Sequence, residues 1–519
     1  MGNGSPLSFI QEDKKDDSQF FVVLPAPLPK GSEYTITTNY SGKEAISNEG
    51  GGNYFPNPGA RDSWYPNSFS PLGEYSTYDM GFRIPKGMKI AAAAANLVSE
   101  DNTGGQNITQ WKSEGAQTVA GFNFGRFKMQ EAKLTNPEYL VQSYANEEPP
   151  DVIKNLLQAV NGAFPGEENQ VSGVALGTMS TLPMIKKSLA EGELAVQLYS
   201  QYFGPLPFKR LAITQQTSCN FGQSWPSLVW LPMCSFYDAT VRHQLGLDDD
   251  RGYWKGVTPH EVAHQWWGHQ VGFNSYRDQW MSEGFAEMSS SLFQQLVEKN
   301  PKKFIQFWND QRDLMLEKNR EGFRAIDVGP VTLAYRLNSS RTGDIARRLI
   351  YPKGAYILHM VRMMMWNQRT GDEPFRQMMQ DFVRTYGGKA ATTEDFKAVL
   401  EKHMTPDMVT MAGGKNSMDW FFNEYVYGTA LPAYKLEYSF DTGADGKNIF
   451  NFKVTQSGVD DTFRMLVPVY FELEDGRTVM IGRVRATGNT TISQQVAIGA
   501  GKPKAAMLNH FNDVLASPN

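Results

Sequence analysis

The stretch WKGVTPHEVAHQWWGHQVG, residues 254–272, decides how the chain is interpreted, because it holds three of its seven histidines, His260, His264 and His269. On a helix, residues four positions apart lie on one face, so His260 and His264 can direct a ring nitrogen at one point. H-E-x-x-H is the helical form of a two-histidine zinc site, and its glutamate can accept a proton from a metal-bound water. We therefore predict that His260 and His264 bind zinc and that Glu261 is a general base.

A catalytic zinc site needs a third protein ligand and one open position. Glu283, in DQWMSEGFAEMSSS (278–291), is the candidate, and eighteen residues separate it from His264. That gap fits the end of one helix, a loop through GFNSYRD (272–278) and the start of a second helix packed beside the first. We predict Glu283 as the third ligand of one zinc ion per chain.

The alternative interpretation of the motif is a pair of surface histidines. The motif lies among Trp254, Trp266 and Trp267 with few charges nearby, which favours a partly buried ligand pair. His269 lies off the face shared by the other two histidines. We predict that His269 is not a ligand and either orients the ligand residues through contacts with them or packs against the site.

The same stretch contains a local conflict. Thr258, Pro259 and Glu261 also fit an N-cap, a first-turn proline and a capping-box glutamate, and in that arrangement Glu261 would face backbone amides. The alternative is a helix that starts earlier, near Asp250, and is kinked by the proline. We favour the earlier start, because residues 250–258 contain no strong stop signal other than Gly256.

Length and composition bound the function class. The chain has 519 residues, which favours two to four domains. Its net charge of -5 and pI near 5.9 argue against a nucleic-acid-binding protein. The sequence contains no run of eighteen apolar residues, so it predicts no transmembrane helix. The N-terminus also lacks the apolar segment of a signal peptide. Both a cytoplasmic protein and a secreted or periplasmic one with its signal removed fit this pattern, and the oligomeric state is open.

Three regions of the chain differ in their pattern of apolar and polar residues, from which we predict an α+β multidomain fold. Residues 1–148 contain alternating segments typical of strands, and residues 149–430 become mainly helical. Residues 431–519 return to strands with turn signals, as in a small β-sandwich. The first region has predicted strands at YTITTNY (34–40), STYDMGFRI (76–84) and GFNFGRFKM (121–129), and a long irregular loop over residues 48–73.

The helical region contains two smaller signals. Thr392 followed by Asp395 predicts a capping-box-like helix start. The methionines of HMVRMMMW (359–366) are predicted to fill the core, since methionine at helical spacing seldom marks a ligand site.

Cys219 and Cys234 are the only cysteines. They flank a predicted pair of strands with a turn near Pro226 and Ser227, which would place them opposite each other. A disulfide and two buried free thiols both fit this pattern.

Together these residues resemble the gluzincin aminopeptidase family of zinc metallopeptidases, which includes aminopeptidase N and leukotriene hydrolase. The resemblance begins with HEVAHQWWGHQV, the eighteen-residue gap and EGFAE. It extends to FGPLPFKRLAIT (203–214), YPKGAYIL (351–358), WFFNEYVYGTALPAY (420–434) and STYDMGFRIPKG (76–87).

The resemblance implies an N-terminal β domain, a thermolysin-like catalytic domain with a helical region, and a C-terminal β-sandwich. The first domain is short for the family, and we expect its front part to be missing. The resemblance also implies that His260, His264 and Glu283 bind zinc, that Glu261 activates water and that Tyr351 stabilises the oxyanion. The implied substrate is a peptide that loses its N-terminal residues.

One departure puts the last implication in doubt. The family usually carries Gly-x-Met-Glu-Asn, whose glutamate binds the α-amine of the substrate, whereas this chain has FGQSWPSL (221–228) with Ser224 in the glutamate position. Gln223 and Ser224 are the candidate substrate-binding residues, on a segment that could pair with the peptide as an edge strand. An endopeptidase or another hydrolase, and a non-catalytic binding protein on the same fold, therefore remain alternatives.

Overall fold

The computed structural model describes residues 6–12, 19–42, 45–56, 64–67, 74–149, 151, 154, 180–217, 219, 221–247, 253–443, 448–498 and 503–518. Within them, a strand-rich N-terminal region precedes a helical middle region and a C-terminal β-sandwich. The predicted fold class is confirmed. None of the helices in this part of the chain has the length and apolar character to cross a membrane.

The N-terminal region is built from short antiparallel sheets. A four-stranded sheet has the order β3-β4-β9-β6 and a three-stranded sheet the order β5-β8-β7. An apolar cluster around Trp111 and Phe122 packs within this region. The strands are β1 (Ser8–Ile10), β2 (Phe21–Val23), β3 (Ile46–Gly50), β4 (Asn53–Pro56), β5 (Asp79–Pro85), β6 (Lys89–Ala92), β7 (Asn96–Asp101), β8 (Gln106–Lys112) and β9 (Phe122–Gly125).

Two predictions for this region are wrong. Residues 34–40 form no strand and lie exposed, because their alternating pattern pairs with none of the strands that the structure describes. Part of the predicted loop 48–73 is instead the hairpin of β3 and β4. Gly50, Gly51 and Gly52 all adopt positive φ there, a backbone conformation that glycine enters without steric cost. Residues 57–63 and 68–73 of that predicted loop lie outside the described part of the chain.

The central sheet carries one wall of the site. It contains β10 (Phe127–Thr135), β11 (Glu138–Asn146), β12 (Arg210–Gln216), β13 (Gln223–Trp225) and β14 (Leu228–Pro232), in the order β10-β11-β12-β14-β13. Strands β11, β12 and β14 are parallel, while β13 runs antiparallel to β14 at the edge. The pairing of β11 with β12 joins residues on both sides of position 148. The domain boundaries at 148 and 430 stay predictions.

The helical region packs on this sheet around one large apolar core. Short strands β15 (Val271–Phe273) and β16 (Lys389–Ala391) pair within it. The helices are α1 (Ile185–Phe203), α2 (Ala239–Gln244), α3 (Tyr253–Ala263), α4 (Trp280–Leu296), α5 (Pro301–Leu316), α6 (Ala325–Val328), α7 (Arg347–Met365), α8 (Glu373–Tyr386), α9 (Thr393–Lys402), α10 (Pro406–Met411) and α11 (Asp419–Phe421).

Helix α3 settles the conflict around Pro259. It is already helical at Tyr253 and continues through Pro259, so the helix does not begin at a Thr258 cap and the capping-box interpretation is wrong. Asp250, where the earlier start was predicted, lies outside the described residues. The Pro259 carbonyl accepts a hydrogen bond from the Tyr199 hydroxyl at 3.1 Å, which fixes α3 against α1.

Two smaller predictions in the helical region are confirmed. The capping box forms at Thr392 and Asp395, where α9 begins. Met360, Met364 and Met365 are buried in the core, as expected for methionines at helical spacing.

The C-terminal region is a two-sheet sandwich. One sheet has the order β17-β18-β21 and the other β20-β19-β22. Phe450, Phe452 and Phe471 lie in the apolar cluster between them. The strands are β17 (Ala433–Thr442), β18 (Asn448–Ser457), β19 (Arg464–Glu472), β20 (Thr478–Thr487), β21 (Thr490–Ile498) and β22 (Ala505–Leu508).

Cys219 and Cys234 form a disulfide, which resolves the alternative left open by the sequence. The bond joins the segment before β13 to the short helix after β14. It therefore closes the far end of the predicted pair of strands, whose turn lies at Pro226 and Ser227.

Candidate active site

Three side chains converge where α3 ends and α4 begins: His260 lies in α3, His264 directly follows it, and Glu283 lies in the first turn of α4. The Nε2 atoms of His260 and His264 lie 3.1 Å apart. The Glu283 Oε2 atom lies 3.6 Å from the first and 3.2 Å from the second. One potential ligand atom from each residue falls within 4.8 Å of the others. The structure thus brings together the three residues predicted as metal ligands.

The second ring nitrogen of each histidine, Nδ1, contacts a group outside the three-residue cluster. The His260 Nδ1 atom lies 2.9 Å from Glu287 Oε2, and the His264 Nδ1 atom lies 2.9 Å from the Trp267 carbonyl oxygen. Gln311 donates to the other oxygen of Glu287. When one imidazole nitrogen is occupied in this way, the ring is oriented and its free nitrogen is directed inward.

Charge in this cluster favours a cation. The side chains of His260, His264 and Glu283 are only 11%, 12% and 19% exposed. Burial alone would lower the pKa of His260, but its hydrogen bonds to Glu283 and Glu287 raise it to about 10. Burial opposes ionisation of Glu283, yet the nearby imidazolium charges hold its pKa below the usual range. The carboxylates therefore stabilise positive charge at the centre of the cluster.

These residues fit a zinc ion. Two imidazole nitrogens and one carboxylate oxygen form the donor set of catalytic zinc sites, and oriented outer nitrogens are their usual support. A divalent cation would replace the protons that the carboxylates otherwise hold on His260 and His264. His260, His264 and Glu283 are thus the residues that could hold zinc.

Glu261 lies beside the cluster against the segment that leads into β13. It is 6% exposed, and burial raises the pKa of its carboxyl group. Gly222 lies directly against it, since a Cβ atom at position 222 would overlap the Glu261 carboxylate. A raised pKa suits a group that accepts a proton and later releases it near neutral pH.

Tyr351 reaches the cluster from α7. Its ring stacks on that of His260 with centroids 5.9 Å apart. Helices α4 and α7 cross at two glycines, where a Cβ atom on Gly284 would come within 2.5 Å of the Gly354 backbone. Glu283 directly precedes Gly284 and Tyr351 lies three residues before Gly354, so this crossing fixes the spacing of the two helices that carry them.

The edge strand β13 is tied to the end of α3. Gln265, fully buried, donates from Nε2 to the Ser224 hydroxyl at 2.8 Å and to the Trp225 carbonyl at 3.0 Å, and its Oε1 accepts from the Ser227 amide at 2.7 Å. The His269 Nε2 atom lies 3.0 Å from the Ser224 carbonyl oxygen. His269 thus contacts the site from outside the ligand set.

The two predicted substrate-binding residues differ in their surroundings. Ser224 is 5% exposed, and its hydroxyl and carbonyl already contact Gln265 and His269. Gln223 is half-buried on the edge strand, and its amide donates to the Ser224 carbonyl at 3.2 Å. Neither residue is acidic.

Sequence reasoning missed two residues that shape the site. Glu287 lies four positions after Glu283, on the same face of α4, so EGFAE contained a signal for it. Gln265 directly follows the motif, but nothing in the sequence indicated its contacts with β13, which is forty residues away along the chain.

Comparisons with known proteins point to one family. The model of the Peptidase family M1 domain matches residues 240–425. A probable aminopeptidase 2 of Sulfurisphaera tokodaii is 25% identical over 270 residues, covering 49% of this chain and 32% of its own. Endoplasmic reticulum aminopeptidase 1 of Rattus norvegicus is 22% identical over 276 residues, covering 51% and 26%. The chain spans about a third or less of the length of these relatives.

The fold also matches solved structures. The crystal structure of an M1 zinc metallopeptidase from Deinococcus radiodurans superposes with a TM-score of 0.54, covering 83% of each chain at 17% sequence identity. A mutant of that protein, crystallised with a Tyr-Ser-Ala substrate, matches with a TM-score of 0.53 over the same shares at 16% identity. At these identities the likeness concerns the fold.

Proposed function

We propose that this chain, which resembles the gluzincin aminopeptidase family of zinc metallopeptidases, hydrolyses peptide bonds. The observation that supports the proposal most strongly is the convergence of His260, His264 and Glu283 beside Glu261. A binding protein on the same fold would have no need for these groups together with a buried base.

We assign the three converging side chains to one zinc ion per chain, the cofactor of this family. When bound there, zinc supplies Lewis acidity and lowers the pKa of a coordinated water to about 7. Glu287 and the Trp267 carbonyl keep the imidazoles oriented toward the ion.

Glu261 is assigned the proton transfers. Its carboxylate accepts a proton from the attacking water and passes it to the leaving amine. Gly222 leaves this carboxylate room and confines it on one side. The pKa of Glu261 is raised by burial, so both the uptake and the release of a proton are accessible.

Tyr351 is assigned to the oxyanion that develops on the substrate carbonyl. Burial raises the pKa of its hydroxyl well above the usual value, so the group stays protonated and can donate a hydrogen bond. Loss of one such donor typically costs about 10²–10³ in rate.

The peptide is proposed to bind along β13. This strand lies at the edge of the central sheet, where an extended peptide can add as a further strand through main-chain hydrogen bonds. Gln223 and Ser224 would contact the substrate there, chiefly through their backbone. Removal of N-terminal residues is the first candidate reaction, as the names of the relatives suggest.

A second candidate is cleavage inside a peptide. It is favoured by the composition of β13, Gln-Ser-Trp, which offers no carboxylate to an α-ammonium group. A neutral group cannot offset that charge as a carboxylate does.

The test is hydrolysis of matched free and N-acetylated peptides by the zinc-loaded protein, read by mass spectrometry. We expect cleavage that is lost after chelation and restored by zinc. Cleavage of the free peptides alone supports the first candidate, and equal cleavage of both supports the second. Absence of cleavage with one zinc per chain confirmed by elemental analysis would contradict the peptidase proposal.

A further inference from the structure

Strand β21 lies at one edge of the sheet β17-β18-β21 in the C-terminal sandwich. It pairs with β18 on one side, and none of the other strands that the structure describes pairs with its second side. Its side chains at Thr491 and from Ser493 to Ala497 are exposed, so the described part of the chain covers neither face there. A free edge of this kind presents backbone N–H and C=O groups with which another strand can pair.

The other long edge strands of the described sheets carry charge. Those with five or more residues are β3, β5, β7, β10, β17 and β20, and each contains at least one Asp, Glu, Lys or Arg. Charged side chains, prolines and bulges on an edge oppose pairing with a further strand. The sequence of β21, TTISQQVAI, has no charge and no proline, and its pairing with β18 has no bulge. Strand β21 is therefore the long described edge that is open to a partner.

The two faces of β21 differ in chemistry. Ile492, Gln494 and Val496 pair with buried residues of β18 in the apolar cluster between the two sheets, so they lie on the inner face of the sheet. The alternate residues Ser493 and Gln495 lie on the outer face. Val496 is nevertheless 42% exposed, so the inner face is incompletely covered at this edge.

A second copy of β21 matches these residues. Antiparallel pairing about a two-fold axis at Gln494 places Ile492 opposite Val496 on the inner face, and Ser493 opposite Gln495 on the outer face. Gln494 then faces its own copy, and a primary amide has both the donor and the acceptor that this requires. A shift by one residue would place inner-face residues opposite outer-face ones. The strand is thus complementary to itself in one register.

The absence of charge on β21 favours self-pairing over pairing with a different protein. A two-fold axis places the same surface on both partners, so a charge close to the axis would face its own copy and be repelled. An edge that recognises a different chain has no such constraint, and charge on it would add specificity.

We propose that two copies of this chain associate through antiparallel pairing of β21 about Gln494, which joins their two sheets into one continuous sheet. The inference does not depend on the proposed peptidase function. A contact of nine residues from each copy is small for a protein interface. We therefore expect a reversible dimer with a dissociation constant between about 1 and about 100 μM.

Sedimentation velocity of the full chain over about 1 to about 200 μM measures this association. The mass should rise from 58.2 kDa toward about twice that value, as expected for a two-fold dimer. A chain that stays monomeric throughout this range would overturn the proposal. That outcome includes the case in which a different protein covers β21.

Charge substitutions assign the association to the edge. Gln494→Lys and Gln494→Glu each place like charges opposite each other and should weaken the dimer at least about tenfold, whereas an equimolar mixture of the two should restore it. Ser439→Lys, exposed on the opposite edge strand β17, is the matched control and should associate like the wild type. A dimer that persists in both Gln494 variants, or a mixture that does not recover, would overturn the proposal.

A cysteine substitution tests the register by a second measurement. The native cysteines are already paired with each other. Gln494→Cys faces its own copy and should oxidise to a covalent dimer, whereas Thr491→Cys lies opposite Ala497 and about 20 Å from its own copy. Oxidation at equal rates in the two variants would contradict the register.

A chelated sample keeps this proposal distinct from the peptidase function. The dimer should form equally with and without chelator. If the dimer behaves as predicted but no peptide is hydrolysed, the association stands and the peptidase function fails. If peptides are hydrolysed by a chain that stays monomeric, the association is wrong and the peptidase function stands.

Discussion

Glu261 lies between two regions that are built differently: the cluster of His260, His264 and Glu283, and the segment that leads into the edge strand β13. The cluster takes its side chains from α3, from the residue directly after α3 and from α4, and a second carboxylate, Glu287, supports it. Strand β13 carries no charged side chain and is held through its backbone by Gln265 and His269.

We relate this difference to two tasks: the cluster would carry out the reaction, and β13 would recognise the substrate. A divalent ion requires particular donor atoms at particular distances, so few substitutions are tolerated among its ligands. A main-chain edge can bind a peptide whatever its side chains are, so β13 can differ from the family pattern while the cluster does not. Four changes test this contrast, in descending order of expected effect on activity.

Glu261→Gln should cause the largest loss, because the amide cannot accept a proton. We expect kcat to fall by about 10²–10⁴ with one zinc per chain retained. Steady-state kinetics with elemental analysis of the same samples checks this. Full activity in the metal-loaded variant would rule out Glu261 as the base.

Gly284→Ala should disturb the helix crossing. The new Cβ atom would come within 2.5 Å of the Gly354 backbone, so α4 and α7 must separate and carry Glu283 and Tyr351 apart. We expect destabilisation by about 1–3 kcal/mol and a loss in kcat of up to about 10². The measurements are thermal unfolding and kinetics.

Gly256→Ala is the matched control for that variant. Gly256 also lies on a helix of the site, α3, but a Cβ atom there meets nothing within 4 Å. This variant should keep its activity and be equally or more stable, by up to about 1 kcal/mol. An equal loss in both variants would contradict the crossing argument.

Gln265→Ala should loosen β13 while leaving the cluster intact. It removes three hydrogen bonds to Ser224, Trp225 and Ser227, and we expect destabilisation by about 2–3 kcal/mol. The KM for peptides should rise about tenfold with zinc retained, because the edge strand proposed to bind the peptide would be displaced. Gln368→Ala, which removes a contact with the Met480 carbonyl far along the chain, is the control and should leave KM unchanged.

Loss of the disulfide should have the smallest effect on activity. The Cys219→Ser, Cys234→Ser double variant opens a loop with a sequence separation of 15, which predicts a loss of about 3 kcal/mol in stability. We expect kcat/KM to fall only a few-fold, since β13 stays paired with β14. Unfolding with and without reductant, beside kinetics, measures both effects. A loss in kcat as large as that of Glu261→Gln would show that the disulfide positions the base.

Prediction from sequence succeeded where the signal was local. The pattern of residues 149–430 predicted the mainly helical middle of the chain, and the capping box located the start of α9. The resemblance to the gluzincin family is confirmed by the family match and the fold. Each of these signals is carried by residues close together in the chain or by a motif with fixed spacing.

Prediction failed where the outcome depended on distant partners. Residues 34–40 alternate like a strand, but none of the strands in the described part of the chain pairs with them, so the backbone hydrogen bonds that favour a strand are not formed. The hairpin of β3 and β4 was missed because its glycines suggested a loop, whereas they form its turn. Whether Pro259 starts or interrupts a helix depended on packing against α1.

By itself, the sequence determined which residues are the candidates for metal binding and proton transfer, because these roles require particular residue types and H-E-x-x-H with a distant glutamate leaves few alternatives. Only the tertiary structure decided how those residues are supported and what surrounds them. The Gln265 anchor and the Gly284–Gly354 crossing join segments far apart in the chain. Such contacts depend on how helices and strands pack in space, which no local pattern of residues encodes.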